Sequence, residues 1–138
     1  MSRLPDWHSR FVAFIDEMRR TPFQWGNDCG PAFAGRCITV LTGEPNPAEK
    51  YIGAYTTRAG AIRAMKEAGF TDLKQAVISF LGEPSHPSMG FTGDIACIPN
   101  NSPLGYSLGI VNGERIFFRR PDGIGTLGLL DADSVFKI

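Results

Sequence analysis

Residues 104–119 read Leu104-Gly105-Tyr106-Ser107-Leu108-Gly109-Ile110-Val111-Asn112-Gly113-Glu114-Arg115-Ile116-Phe117-Phe118-Arg119. Two apolar runs flank Asn112-Gly113, a dipeptide suited to a two-residue hairpin turn because both central positions of a type I′ turn need positive φ. With those two residues as the turn, Val111 faces Glu114, and counting back pairs Ser107 with Phe118. One face of the hairpin then carries Ser107, Gly109, Val111, Ile116 and Phe118, and the other carries Tyr106, Leu108, Ile110 and Phe117. Both faces are largely apolar, so the sheet is expected to be covered by helices on one side and by a partner on the other. Shorter β-rich runs, Asp94–Ile98, Thr126–Leu130 and Val135–Ile138, lie between Gly, Pro and Asn clusters. Together they predict an antiparallel sheet of about four or five strands.

Upstream the texture is helical. Leu4, Trp7, Phe11, Phe14, Ile15 and Met18 recur at steps of three and four, which marks one face of an amphipathic helix. A second apolar segment, Ala32–Leu41, is closed by Gly43; Asp28 is its expected N-cap, and Pro31 fits the first turn, where an N–H has no intrahelical partner. A short helix is expected around Ala48–Ile52 and a longer one over Thr57–Ala68, stopped by Gly69. Asp72–Leu81 reads as a further helix, although Ala76-Val77-Ile78-Ser79-Phe80 also suits a buried strand. Helices over 1–82 followed by strands over 83–138 make one α+β domain, with the helices packed on a C-terminal sheet.

The chain has 138 residues, 43% of them hydrophobic, enough for one ordinary core. Fourteen Lys+Arg balance fourteen Asp+Glu, so the basic excess of a nucleic-acid binder is missing. No apolar run approaches the ~18 residues of a membrane span, and the start, MSRLPDWHSR, lacks the apolar segment of a signal peptide. The chain is therefore expected to be cytoplasmic when synthesised. Three cysteines, Cys29, Cys37 and Cys97, form no C-x-x-C pair and suit neither a disulfide framework nor a four-ligand zinc site. No metal or other cofactor is implied.

Cys29 carries the most chemistry, because at the first turn of a helix the backbone N–H groups and the dipole favour a thiolate. Against that, Cys29, Phe33 and Cys37 fall at steps of four on one stripe, which equally describes a core cysteine. Cys37 and Cys97 sit among apolar neighbours and read as core. Only two histidines occur: His8 on the first helix, and His86 on the loop Glu83-Pro84-Ser85-His86-Pro87. Phe23, Gln24, Trp25 and Asp28 precede Cys29, and their aromatic pair could wall a peptide-binding site or pack beneath the helix.

The series Gln24-Trp25-Gly26-Asn27-Asp28-Cys29-Gly30, Thr92-Gly93-Asp94-Ile95-Ala96-Cys97-Ile98 and Ser107-Leu108-Gly109-Ile110-Val111 resembles the NlpC-type branch of the papain-like cysteine peptidases in order and spacing. The resemblance runs from about Phe23 to the C-terminus. It implies a papain-like fold with Cys29 as nucleophile and Phe23, Gln24, Trp25 and Asp28 at the substrate. Versions with Phe-x-Trp-Gly-x-Asp-Cys resemble small proteins of phage and prophage tail modules, and host-facing relatives cut peptidoglycan stem peptides. The implied partners are other tail-tip proteins or peptidoglycan, and the implied location is the virion.

The resemblance also implies a departure. The catalytic histidine position falls on Ser107 and the third polar position on Phe118, and no histidine follows His86. A cysteine hydrolase needs a base within hydrogen-bond reach of its thiol, and serine does not serve at neutral pH. The expectation is an inactive peptidase-like interaction module in a phage tail. The alternative is an active endopeptidase or amidase using Cys29 with His86 as base.

Overall fold

A computed structural model describes residues 2–138. Four α-helices come first: α1 Trp7–Arg19, α2 Gly30–Thr42, α3 Arg58–Glu67 and α4 Leu73–Leu81. Five strands follow: β1 Ile95–Pro99, β2 Tyr106–Asn112, β3 Arg115–Arg120, β4 Gly123–Gly128 and β5 Ser134–Phe136. The architecture is α+β, with one antiparallel sheet in the order β4-β3-β2-β1-β5.

Local capping explains several helix boundaries. Thr57 Oγ1 accepts the Gly60 N–H at 3.1 Å to open α3, and Asp72 accepts the Gln75 N–H at 2.8 Å to open α4. That cap decides Ala76–Phe80 in favour of helix over strand. Helix α2 departs from expectation: its N-cap is Cys29, in extended conformation, and Asp28 lies one residue outside. Pro31 takes an early position, and Gly43 closes the helix at φ +78°, donating its N–H to Thr39 O at 2.8 Å. The short helix expected around Ala48–Ile52 is a single 3-10 turn, Glu49–Tyr51.

The hairpin corrects the register. Gly109 pairs with Phe118, Val111 with Ile116 and Asn112 with Arg115, so Ser107 does not oppose Phe118. Gly113 and Glu114 form the turn, with Gly113 at φ +62° and no non-glycine among the described residues at positive φ. Positive φ at the first central residue alone is the type II′ requirement, which spares Asn112 the strained conformation a type I′ turn would impose. The slip is two residues, so each side chain keeps its face.

The sheet is covered on both sides by the chain itself. Toward the helices, Ile95, Cys97, Leu108, Ile110 and Phe117 pack with Phe14, Met18, Phe33, Cys37 and Leu41. On the far side, Ala96, Ile98, Val111 and Ile116 pack with Ala132 and Val135, with Leu129 and Phe118 at the margin. Cover expected of a partner on that face comes instead from the Leu129–Asp131 turn and Ala132, while Ser85 extends the sheet edge through two backbone hydrogen bonds with Val135, at 2.7 and 2.9 Å. Gly109 is the glycine inside β2, but it does not admit the Cys29 helix. Its missing side chain instead admits Ile116 and the Phe117 carbonyl of its own hairpin.

Residues near both ends of the chain converge on Asp94, which is fully buried. Its carboxylate accepts from Arg3 at 3.1 Å, from the Ile138 N–H at 3.0 Å and from the Phe91 N–H at 2.9 Å, and Lys137 Nζ lies 2.6 Å away. No helix among the described residues is long and apolar enough to cross a membrane.

Candidate functional site

Cys29 sits where the end of an aromatic turn becomes α2. Its side chain is 1% exposed, and its sulfur lies 3.3 Å from the Tyr55 hydroxyl. Gly30 lies against β2, where a Cβ on it would approach Leu108 to 3.8 Å, so the strand position nearest the start of α2 is Leu108. Burial, followed by the neighbouring Cys29, raises the Tyr55 phenol above its ordinary value. Tyr55 is therefore a neutral hydroxyl beside the thiol, able to donate or accept one hydrogen bond and unable to serve as a base near neutrality.

A glycine brings these two side chains together. Gly26 has φ +82°, and any side chain there would run into the Tyr55 carbonyl; its own carbonyl accepts the Gly53 N–H at 2.8 Å. The aromatic turn is thereby stitched to the segment that carries Tyr55. On the other side Arg119 of β3 holds the turn: its guanidinium donates to Asp28 O at 3.1 Å, Met18 O at 2.7 Å and Thr21 O at 2.7 Å. Burial lowers the pKa of Arg119, and the Asp28 carboxylate opposes that effect. The carboxylate is itself buried, with Oδ1 3.0 Å from Arg36 Nη1; the approach is of ion-pair length, but its angle makes no hydrogen bond.

The residues expected at the substrate are half assembled. Phe23 and Trp25 meet edge to face at 5.3 Å between centroids, both half-buried. Gln24 is exposed, and its carbonyl accepts the Asp28 N–H at 2.9 Å to close the turn. Asp28 is engaged with two arginines rather than open to a ligand.

The remaining sequence candidates lie elsewhere. His86 is exposed, and its Nδ1 is held by Ser88 through the backbone N–H at 3.1 Å and the hydroxyl at 2.8 Å. Its neighbour Ser85 pairs beyond β5, three strand spacings or about 14 Å from β2. His86 thus fails as the base for Cys29, and His8, exposed against Trp7, is no hydrogen-bond partner of the thiol either. Ser107 pairs with Ile98, whose side chain belongs to the far-side cluster, and accepts from Asn100 Nδ2 at 2.8 Å. Phe118 packs on that same far side. Neither therefore occupies the place of a histidine opposite the thiol. Cys37 and Cys97 are fully buried, and burial pushes each thiol up to about 12. Among the described residues no group of three or more His, Cys, Asp or Glu side chains could hold a metal ion.

Beside Tyr55, between α2, α3, α4 and β2, lies a half-open cavity of about 110 Å³. Ala34 on α2, Ala61 and Ala64 on α3 and Ala76 on α4 face it, small residues where branched ones would close the gap.

Sequence reasoning missed Tyr55 and Arg119. Arg119 carried a usable signal, since it shares strand parity with Phe117, whose side chain meets the helices. Tyr55 carried none, lying in a short stretch without periodicity.

Residues 2–138 match the model of a family described as a domain of unknown function, DUF6950, and the chain belongs to that family. No match is found among curated proteins.

Proposed function

We propose that this chain is a catalytically silent cysteine-peptidase-like domain, papain-like in its NlpC-type form, used as an interaction module among phage or prophage tail-tip proteins. The tail assignment and the peptidase likeness rest on the sequence resemblance around Cys29 and along the strands. Silence rests on one observation: Cys29 is 1% exposed and the hydrogen-bond partner of its sulfur is a tyrosine. Acyl transfer by a thiol needs a group that takes its proton and returns one to the leaving amine, a service worth about 10²–10⁴ in rate. A neutral phenol, an apolar Leu108 and a distant His86 supply no base.

One feature favours an active amidase as a second reading. Cys29 caps the start of α2, where unpaired backbone N–H groups could steady an oxyanion. Both readings meet in one assay. Purified stem-peptide fragments are incubated with the wild type, Cys29→Ala and His86→Ala, and native thiols are titrated with an aromatic disulfide. Silence predicts no Cys29-dependent turnover and no fast-reacting thiol; turnover lost in Cys29→Ala establishes the enzyme. The module is tested by tagging the chain in a cell that produces tails. It should co-purify with tail-tip proteins, and complete tails that form without it overturn the assignment.

A further inference from the structure

We infer that the cavity between α2, α3, α4 and β2 is a binding site for one small neutral apolar molecule, of single-ring or short-branched-alkyl size. Of the residues that line it none is charged, and the polar side-chain atoms on its walls are those of Trp25, Tyr51 and Tyr55. Electrostatic complementarity therefore excludes an ionic ligand, because an ion brought in would lose its water without gaining a partner. A stretch of main chain is excluded on the same ground, since its amides would find almost no partners there. The volume, about 110 Å³, is of the order known to take a benzene-sized guest in an apolar pocket.

The cavity is built rather than left over. Alanines face it from three different helices, Ala34, Ala61, Ala64 and Ala76, whereas protein interiors are otherwise packed to crystal-like density. Helix α3 is the wall that yields most readily in energetic terms: it buries only Ala61 and Met65, so its displacement exposes little apolar surface and lets the half-open mouth adjust to a guest. The opposite walls, α2 and β2, belong to the main core and stay fixed. This site is separate from thiol chemistry at Cys29, although Tyr55 lines the one and bonds the other.

Toluene is the probe and benzoate the charged control, with the full chain in both. Thermal unfolding should shift upward with toluene and saturate; at ten times Kd the unfolding constant falls about elevenfold, because only the folded chain binds. Benzoate should produce no shift. Methyl resonances of Ala61, Ala64 and Ala76 should move with toluene while those of Val111 and Val135, on the far side of the sheet, stay put. Ala64→Leu should fill the space and abolish both responses; Ala76→Val, a smaller filling, is the second variant should the first fail to fold. No saturable shift in the wild type, an equal response to benzoate, or unchanged binding in a folded filled variant would each overturn the site. Failure of the peptidase-like reading leaves these outcomes untouched, since none of them involves turnover or thiol reactivity.

Discussion

Replacing Arg119 by Met keeps most of an apolar stem in place while removing the guanidinium that ties three carbonyls together. Arg119 is 8% exposed, and its acceptors are Asp28 O, Met18 O and Thr21 O. The bonds to Asp28 and Met18 are buried; the Asp28 carbonyl loses a partner that solvent cannot replace, at about 1–3 kcal/mol, whereas the Met18 carbonyl still accepts the Thr21 N–H at 3.2 Å and loses about 0.5–1.5 kcal/mol. Thr21 is half-buried and can turn to water, so its share is small. The expected loss is therefore about 1.5–4.5 kcal/mol, a large fraction of the ~5–15 kcal/mol that stabilises an ordinary domain. Urea unfolding followed by tryptophan fluorescence and far-UV circular dichroism measures it, with coincident transitions required before a single free energy is extracted. Lysine at 119 offers one point donor in place of a fork and should fall between the two. A local readout separates a tether from general packing: Cys29 should be alkylated faster in folded Arg119→Lys, because Asp28 is held less firmly beside it. A loss below about 1 kcal/mol for Arg119→Met, with unchanged Cys29 alkylation in both variants, would refute the clamp.

Asp94→Asn should destabilise the chain by about 1–3 kcal/mol, because a fully buried amide nitrogen replaces an oxygen that accepts hydrogen bonds, while Arg3 and the half-exposed Lys137 turn partly to water; a loss under about 0.5 kcal/mol in urea unfolding would show the convergence to be incidental. Alkaline pH should also destabilise it. Burial raises Cys37 and Cys97 from an ordinary value of 9.0 to about 12, so the folded chain keeps protons that the unfolded chain releases. That stability is fully present below pH 9 and declines as pH rises from 9 toward 12, by at most about 4 kcal/mol per thiol at the upper end. Cys37→Ala should flatten the decline between these limits, and an unaltered slope would remove the thiol from the account.

Much of the fold was legible because its signals are local. The stripe Phe11, Phe14, Ile15 and Met18 is buried in α1 as its spacing requires, and Thr57 and Asp72 mark helix starts by side chains reaching three residues ahead. The hairpin was legible as a hairpin but not in register. Asn112-Gly113 and Gly113-Glu114 are both two-residue turns open to this sequence, and the choice between them rests on which residue adopts positive φ. Because the two registers differ by an even number, the alternation of side chains gave no warning.

Which face meets the helices is a harder matter, and it governs the site. Both sides of β2 are apolar, so local pattern assigns Ser107 and Leu108 to opposite faces without saying which one lies under α2. Packing decides it: Leu108 joins Phe33 and Cys37, while Ser107 pairs with Ile98 on the far side. The identity of residue 107 is then irrelevant to the thiol, and the proposed silence turns on residue 108 instead. A serine opposite Cys29 could still have relayed a proton through a water or a second hydroxyl. Leucine at the nearest strand position can relay nothing. The partners that do reach the site come from far along the chain, Tyr55 after 26 residues and Arg119 after 91 to the Asp28 carbonyl. One is a neutral hydroxyl and the other is spent on backbone carbonyls. Arg119 therefore fixes the turn that carries Cys29, Tyr55 occupies the thiol, and the strand position beside Gly30 is the apolar Leu108.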